Sequence, residues 1–189
     1  KVCAGAGEMA APRFPPAAIK ACQCVPRIEA GAADRFGLSD EEIALCCSSH
    51  NGEPEHVRVA RSILHKAQTH EDSYECGAHW PYEIVAQHNV VKSGGSPLQV
   101  HNNCSGKHAG MLALSRHLGA DSKDYVKIGH PVQQAVAAAI ARYCDVDMKT
   151  LAGGIDGCSV PTWGFPCRNM ALGFARLTRA TAFGGTARP

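Results

Sequence analysis

No stretch of this 189-residue chain approaches the roughly 20 consecutive apolar residues that a membrane-spanning helix needs, so such a helix is excluded. An excess of charge of one sign is missing too: 19 basic against 17 acidic residues leave a formal charge of +2. A nucleic-acid partner normally shows itself as a clustered basic face, and this balance gives none. There is no Cys-x2-Cys pair, which weakens a zinc-ribbon reading. Internal repeats and low-complexity runs are absent. The opening residues show no charged region followed by an apolar stretch and a small-residue cleavage site, which favours a reducing, cytoplasmic setting. Strand signals are few, namely Gln99-Val100 and Val160 to Phe165.

What is present is an ordinary globular composition, 45% hydrophobic and 19% charged, in a chain long enough to bury one core. The unusual counts are ten cysteines and ten histidines. A disulfide scaffold is normally short and poor in core residues, whereas this chain carries helical patterns that build a core. Most of its cysteines therefore read as small buried hydrophobes. Cys46 and Cys47 end one apolar helix and Cys144 ends another.

The helical signals are explicit. Residues 17 to 30 carry apolar positions at helical spacing, with Pro26 as an interruption and Gly31 as a stop. Ser39 and Glu42 form a capping box ahead of Ile43, Ala44 and Leu45. Pro54 occupies a first-turn position, and Val57, Ala60, Leu64 and Ala67 then recur every three or four residues. Residues 105 to 118 predict a further helix, with Leu112 and Leu118 among its apolar members and Gly119 as its stop. Pro131 opens another, striped by Val132, Ala135, Val136, Ala139, Ile140 and Tyr143. The result is a helix-rich chain with too few strands for a complete α/β sheet.

Three polar clusters carry the chemistry. The first runs from Ser48 to His56, between two helices. It presents a hydroxyl, an imidazole and a carboxylate to one cleft, or else forms a capping box in which Asn51 or Ser49 works with Glu53. The second runs from His101 to Gly110 and leads into a strong helix. A thiol at a helix N-terminus beside lysine or histidine has a lowered pKa. Cys104 and His108 share a helical face, which suits metal ligation or a Cys–His nucleophile pair equally. The third, Gly153 to Pro161, reads as a tight turn, with room for a ligand or simply a buried cysteine. Its Cys158 can join Cys104 to give two thiolates for a metal.

Taken together, HNNCSGKHAGML, GIDGCSVPTWGFP and SSHNGEPEHV resemble the asparaginase II family, the L-asparaginases whose fold is similar to serine β-lactamases and penicillin-binding proteins. IEAGAADRFGLSDEEIAL, CGAHWP and HPVQQAV extend the resemblance from about Phe14 to about Leu177. It implies an α/β, helix-rich, partial β-lactamase-like domain over 14–189, with an irregular segment over 1–13. The implied reaction is hydrolysis of L-asparagine to L-aspartate and ammonia by Ser–Lys nucleophilic chemistry. An inactive relative that keeps the metal and amino-acid site is the alternative.

The family's R-S-x-x-K-P-x-Q segment falls on Pro16 to Gln23. Lys20 and Gln23 are kept, while Ala17 replaces the serine and Pro16 the arginine. The second serine falls on Ser49, which with Lys20 makes the implied catalytic pair. The family's second lysine and its outer strands have no counterpart, so the sheet is expected to be incomplete. By the same resemblance, Cys104, Lys107 and Cys158 are the zinc ligands. Asp156, with His50, Glu53 and His108 as weaker carry-overs, would contact substrate. The implied partner is the small molecule L-asparagine, with no nucleic acid, no membrane, and a homodimer left open.

Overall fold

The computed structural model describes residues 4–15 and 17–179, so Pro16, Cys3 and the tail from residue 180 lie outside the described residues. Among the described residues, eight α-helices and three short strands follow in chain order. They are β1 (Pro12–Arg13), α1 (Lys20–Glu29), α2 (Ala32–Arg35), α3 (Asp40–Cys46), α4 (Pro54–Lys66), α5 (Ile84–Lys92), α6 (Ser105–Leu118), α7 (Pro131–Cys144), β2 (Ala152–Ile155), β3 (Pro161–Pro166) and α8 (Cys167–Leu177).

The body is helical, and α6 is its axis. Every residue of α6 from Ser105 to Ser115 is buried. Helices α1, α2, α3, α4 and α7 all pack against it, and α7 is covered in turn by α1 and α8. Two glycines let neighbours approach this closely. A Cβ on Gly106 would stand 2.7 Å from the Leu45 carbonyl oxygen of α3, and one on Gly110 would stand 2.7 Å from Cys46 Sγ. The Gly119 stop holds, in the left-handed conformation at φ 67°. Leu112 is buried as expected, but Leu118 is 44% exposed because the last turn of α6 runs out past the core.

The other start signals act locally as read. Ser39 Oγ accepts from Glu42 N–H, and Glu42 Oε2 accepts from Ser39 N–H at 2.7 Å, closing the capping box. Glu42 is held further by Ser62 Oγ and Lys66 Nζ, each at 2.7 Å. Pro54 opens α4, with Val57, Ala60, Leu64 and Ala67 buried beneath it. Helix α7 buries Val132, Val136, Ala139, Ile140 and Tyr143, while Ala135 is only partly covered. Pro26 lies inside α1 without ending it.

Three antiparallel strands form a small open sheet in the order β1–β3–β2. β3 is central and buried almost throughout, whereas β2 and β1 are exposed edges. The expected strand at Gln99-Val100 is a single 3-10 turn over Gln99–His101. Local bonding wins there: Leu98 N–H donates to His101 Nδ1 and His101 N–H returns to Leu98 O. The tight turn expected within Gly153 to Pro161 is there but shorter, and Gly153 and Gly154 stand outside it. Both glycines belong to β2, opposite Trp163 and Thr162, and the chain reverses one step later over Asp156 to Ser159. Ser159, not a glycine, adopts the positive φ of 76°.

Candidate active site

Helix α1 delivers Lys20, and the turn between α3 and α4 delivers Ser49. Lys20 is fully buried at the first turn of α1. Its Nζ donates to Ser49 Oγ at 2.7 Å and to Ser48 O at 3.0 Å. Ser49 itself is exposed, so its hydroxyl faces solvent on one side and a buried amine on the other. Ala17 lies one turn before Lys20, exposed, with a methyl group where the resemblance puts a serine.

The second cluster closes over the same place. Asn102 Oδ1 accepts from Cys104 N–H at 2.8 Å, setting the entry to α6, and Asn102 Nδ2 donates to Gly77 O at 2.6 Å. His50 N–H donates to Asn103 O, and Asn103 N–H donates to His79 Nε2 at 3.0 Å. These bonds sew three loops together around the N-terminus of α6. Gly52 is required at their meeting point: at φ 75°, a Cβ there would touch Pro81 Cα at 3.0 Å.

His50 is buried in this seam with both ring nitrogens engaged. Nδ1 accepts from Gly52 N–H at 3.1 Å, which leaves Nε2–H to donate to Ser105 Oγ at 2.9 Å. Burial, aided by His56, Lys20 and His79, pushes His50 down to about 4. It is neutral and holds the turn bearing Ser49 against α6. Glu53 stands at the N-cap of α4 with no side-chain cap bond, so the capping reading of Ser49 or Asn51 with Glu53 is not realised.

Cys104, Lys107 and Cys158 meet behind Lys20. Lys107 Nζ, fully buried, donates to Cys158 Sγ at 3.0 Å and lies 3.8 Å from Asp156 Oδ2. Cys158 Sγ donates to Asp156 Oδ2 at 3.2 Å. Hydrogen bonding with Cys158 pulls Cys104 down to about 6, helped by the charges of Lys107 and Lys20 against the cost of burial. The same contact, with burial, pushes Cys158 up to about 12. Near neutrality the two thiols therefore share one proton.

His108 lies one turn beyond Cys104 and is fully buried. Its Nδ1 faces Tyr125 Oη at 2.7 Å, while Nε2 has no hydrogen-bond partner. Burial pushes it below the ordinary imidazole range, with Cys158 opposing. Tyr125 and Ser105 are site residues that sequence reasoning missed. Ser105 lies inside the second motif, but Tyr125 has no local signature and arrives only through the fold.

These bonds bring Lys20, Ser49, His50 and the first turn of α6 together and join Lys107, Cys158 and Asp156, whereas Glu53 makes no side-chain cap bond. Among the described residues, no group of three or more His, Cys, Asp and Glu side chains forms a ready metal site. The third side chain on the two thiols is an amine. A cleft of about 500 Å3 lies elsewhere, bounded by Arg35, Phe36, His65, Lys66, Gln68 and Arg116. Of its cations, Arg35 bonds His117 O, and Lys66 bonds Gly37 O as well as Glu42.

The family model described as L-asparaginase II matches residues 1–187 of the 189, and the chain belongs to that family. Membership points to an L-asparaginase-type amidohydrolase with a small-molecule substrate. Comparison with the curated proteins gives no match. Among the described residues, no helix is long and apolar enough to cross a membrane.

Proposed function

We propose that this chain hydrolyses L-asparagine to L-aspartate and ammonia, with Ser49 as nucleophile and Lys20 as its base. The observation that carries this reading is the 2.7 Å line from Lys20 Nζ to an exposed Ser49 Oγ. The Lys20 amine on that line takes the hydroxyl proton as Oγ attacks the side-chain amide carbon. The proton passes to the departing nitrogen, which leaves as ammonia. Water then cleaves the acyl-serine, releasing aspartate and restoring the hydroxyl. Asp156 would face the substrate's amino group, with His108 behind it, and His50 and Glu53 would support the turn bearing Ser49. On this reading the helical body and its small sheet are a partial form of the β-lactamase-like domain.

The residues also fit a zinc ion. Cys104, Cys158 and Lys107 would hold it, with Lys107 Nζ 3.0 Å from Cys158 Sγ. When bound, the ion would supply positive charge that orients substrate and polarises an oxygen. Lysine must give up its proton to take part.

The test is ammonia release from asparagine by the purified chain. Ser49→Ala and Lys20→Met should each lower it about a thousandfold with unchanged circular dichroism. Full activity in Ser49→Ala, with loss on thiol alkylation, would replace this reading by a Cys104–His108 hydrolase. The exposed methyl of Ala17 favours a second reading, an inactive relative. An intact fold with no ammonia release would support it.

A further inference from the structure

Helices α4 and α6 start beside Ser49 and Cys104 and run about 20 Å away from them. Their far ends, with the end of α2, bound the cleft of about 500 Å3 that the proposed reaction does not use. That volume suits a small-molecule site. The wall carries two guanidiniums (Arg35 and Arg116), the Lys66 ammonium, the His65 imidazole, the Gln68 amide and the Phe36 ring, and no carboxylate. Helix ends present carbonyl oxygens, which repel an anion, so the charge left over after local bonding is what counts. Arg35 Nη1 donates to His117 O at 3.1 Å, and Lys66 Nζ to Gly37 O at 2.9 Å. Lys66 is also neutralised by Glu42, which lies off the wall. The rest of the Arg35 fork is unused, and the exposed Arg116 guanidinium bonds nothing among the described residues.

Backbone N–H groups close the three helix ends in the same way. Gly37 and Leu38 donate to Asp34 O and Ala33 O, Gln68 and Thr69 to His65 O and Leu64 O, and Gly119 and Ala120 to Arg116 O and Ser115 O. Each closure passes through a left-handed residue: Gly37 at φ 58°, Gln68 at 54° and Gly119 at 67°. Glycine adopts that conformation freely, whereas a side chain is strained there. Glutamine therefore stands on the cleft wall where glycine would be more stable, and its amide bonds nothing among the described residues.

We propose that this cleft is a second binding site, separate from the Ser49 site, for the phosphate groups of a small organic phosphate, held by the Arg35 and Arg116 guanidiniums with the Gln68 amide. Guanidinium forks match the paired oxygens of phosphate. A phosphate group offers oxygens to two forks at once, which one carboxylate does not. The Phe36 ring, its centre 5.3 Å from Arg35 Cζ, steadies one of those forks before any ligand arrives. The Gln68 amide N–H and the His65 ring add uncharged donors on the same wall. The site does not depend on the Ser49–Lys20 reading.

The experiment titrates the nitrogen-labelled full chain with inorganic pyrophosphate, and in parallel with citrate at matched ionic strength, following amide and arginine signals by NMR. Pyrophosphate should saturate the chain below roughly 1 mM, with the Arg35 and Arg116 Nε–H and Gln68 side-chain signals moving together. Arg116→Gln should weaken binding roughly tenfold. Gln68→Gly should weaken it several-fold while raising the thermal midpoint by about 2 °C. A Gln68 that served the fold alone would not give that opposed pair of effects. Shifts that never saturate and spread over surface lysines would overturn the proposal. So would shifts centred on Ser49 and Lys107, citrate binding as tightly as pyrophosphate, or undiminished binding in Arg116→Gln.

Discussion

Tyr125 Oη stands 2.7 Å from His108 Nδ1, with the two rings edge to face. The tyrosine oxygen also accepts from Glu75 N–H at 3.1 Å, so its own hydrogen is left for His108. That assigns the His108 proton to Nε2, the side toward Cys158. One phenol hydroxyl thus orients an imidazole behind the thiol pair.

Tyr125→Phe keeps the ring and removes this hydroxyl. It leaves His108 Nδ1 and Glu75 N–H without their partner, at a cost of roughly 1–3 kcal/mol. Urea unfolding should show a lower midpoint with an unchanged slope. Equal stability would mean that the hydroxyl contributes nothing net. The Nδ1 and Nε2 nitrogen shifts of His108 should also lose their single-tautomer pattern.

The neutral His50 gives the fold an acid sensitivity of defined sign. Its imidazole titrates near 6.5 when unfolded and at about 4 when folded. Between those values the unfolded chain binds a proton that the native chain does not. Stability is therefore complete above pH 6.5 and falls as the pH drops toward 4, by up to roughly 3 kcal/mol from this group. Urea midpoints between pH 7.5 and 4.5 should decline less steeply in His50→Gln. Parallel declines would show that other groups govern the acid limb.

How much of this was legible in the sequence depended on whether the signal was local. The Ser39 capping box, the Pro54 and Pro131 starts and the Gly119 stop are short-range devices, and each acts where it was read. β2 was missed because a Gly-Gly pair has turn chemistry. It becomes a strand only because β3 lies beside it. Helix α5 was not anticipated, because of its nine residues only Ala86 is buried and no apolar stripe announces it. Cys104 and Cys158 pair on their chemistry as thiolates, and only the motif resemblance adds Lys107 to them. Lys20 and Ser49 meet across 29 positions, and Arg27 is buried in spite of its charge. Those two facts come from packing against α6, which no window of sequence contains.

Close helix approach makes Gly106 intolerant of a methyl group. A Cβ there would lie 2.6 Å from Leu45 Cγ and 2.7 Å from Leu45 O. The side chain can turn away, but the backbone oxygen moves only with α3. Gly106→Ala gains helix propensity of about 1 kcal/mol, yet forces the two helices apart at a cost of roughly 1–3 kcal/mol or more. Net destabilisation in thermal unfolding is expected, together with weaker ammonia release, because the C-terminus of α3 leads directly into Ser49. A stabilised Gly106→Ala would mean that the helices are less tightly apposed than these distances imply.

The two thiols and the amine make zinc binding sensitive to protons in a known direction. Cys104 and Cys158 hold one proton between them near neutrality, and Lys107 must lose one to ligate. Zinc should therefore bind one ion per chain, release protons on binding, and bind more tightly as pH rises from 6 to 8. Competition with a chromogenic chelator measures the affinity, and metal analysis after gel filtration gives the stoichiometry. Cys158→Ser should weaken binding at least tenfold by exchanging a soft thiolate for a hydroxyl. Lys107→Met removes both the amine and its 3.0 Å bond to Cys158, so its loss should be of similar size. If Lys107→Met binds as well as the natural chain, the amine is a counter-charge for the thiols and the metal takes its remaining ligands elsewhere. If neither change matters, the cluster is a buried charge network that needs no metal.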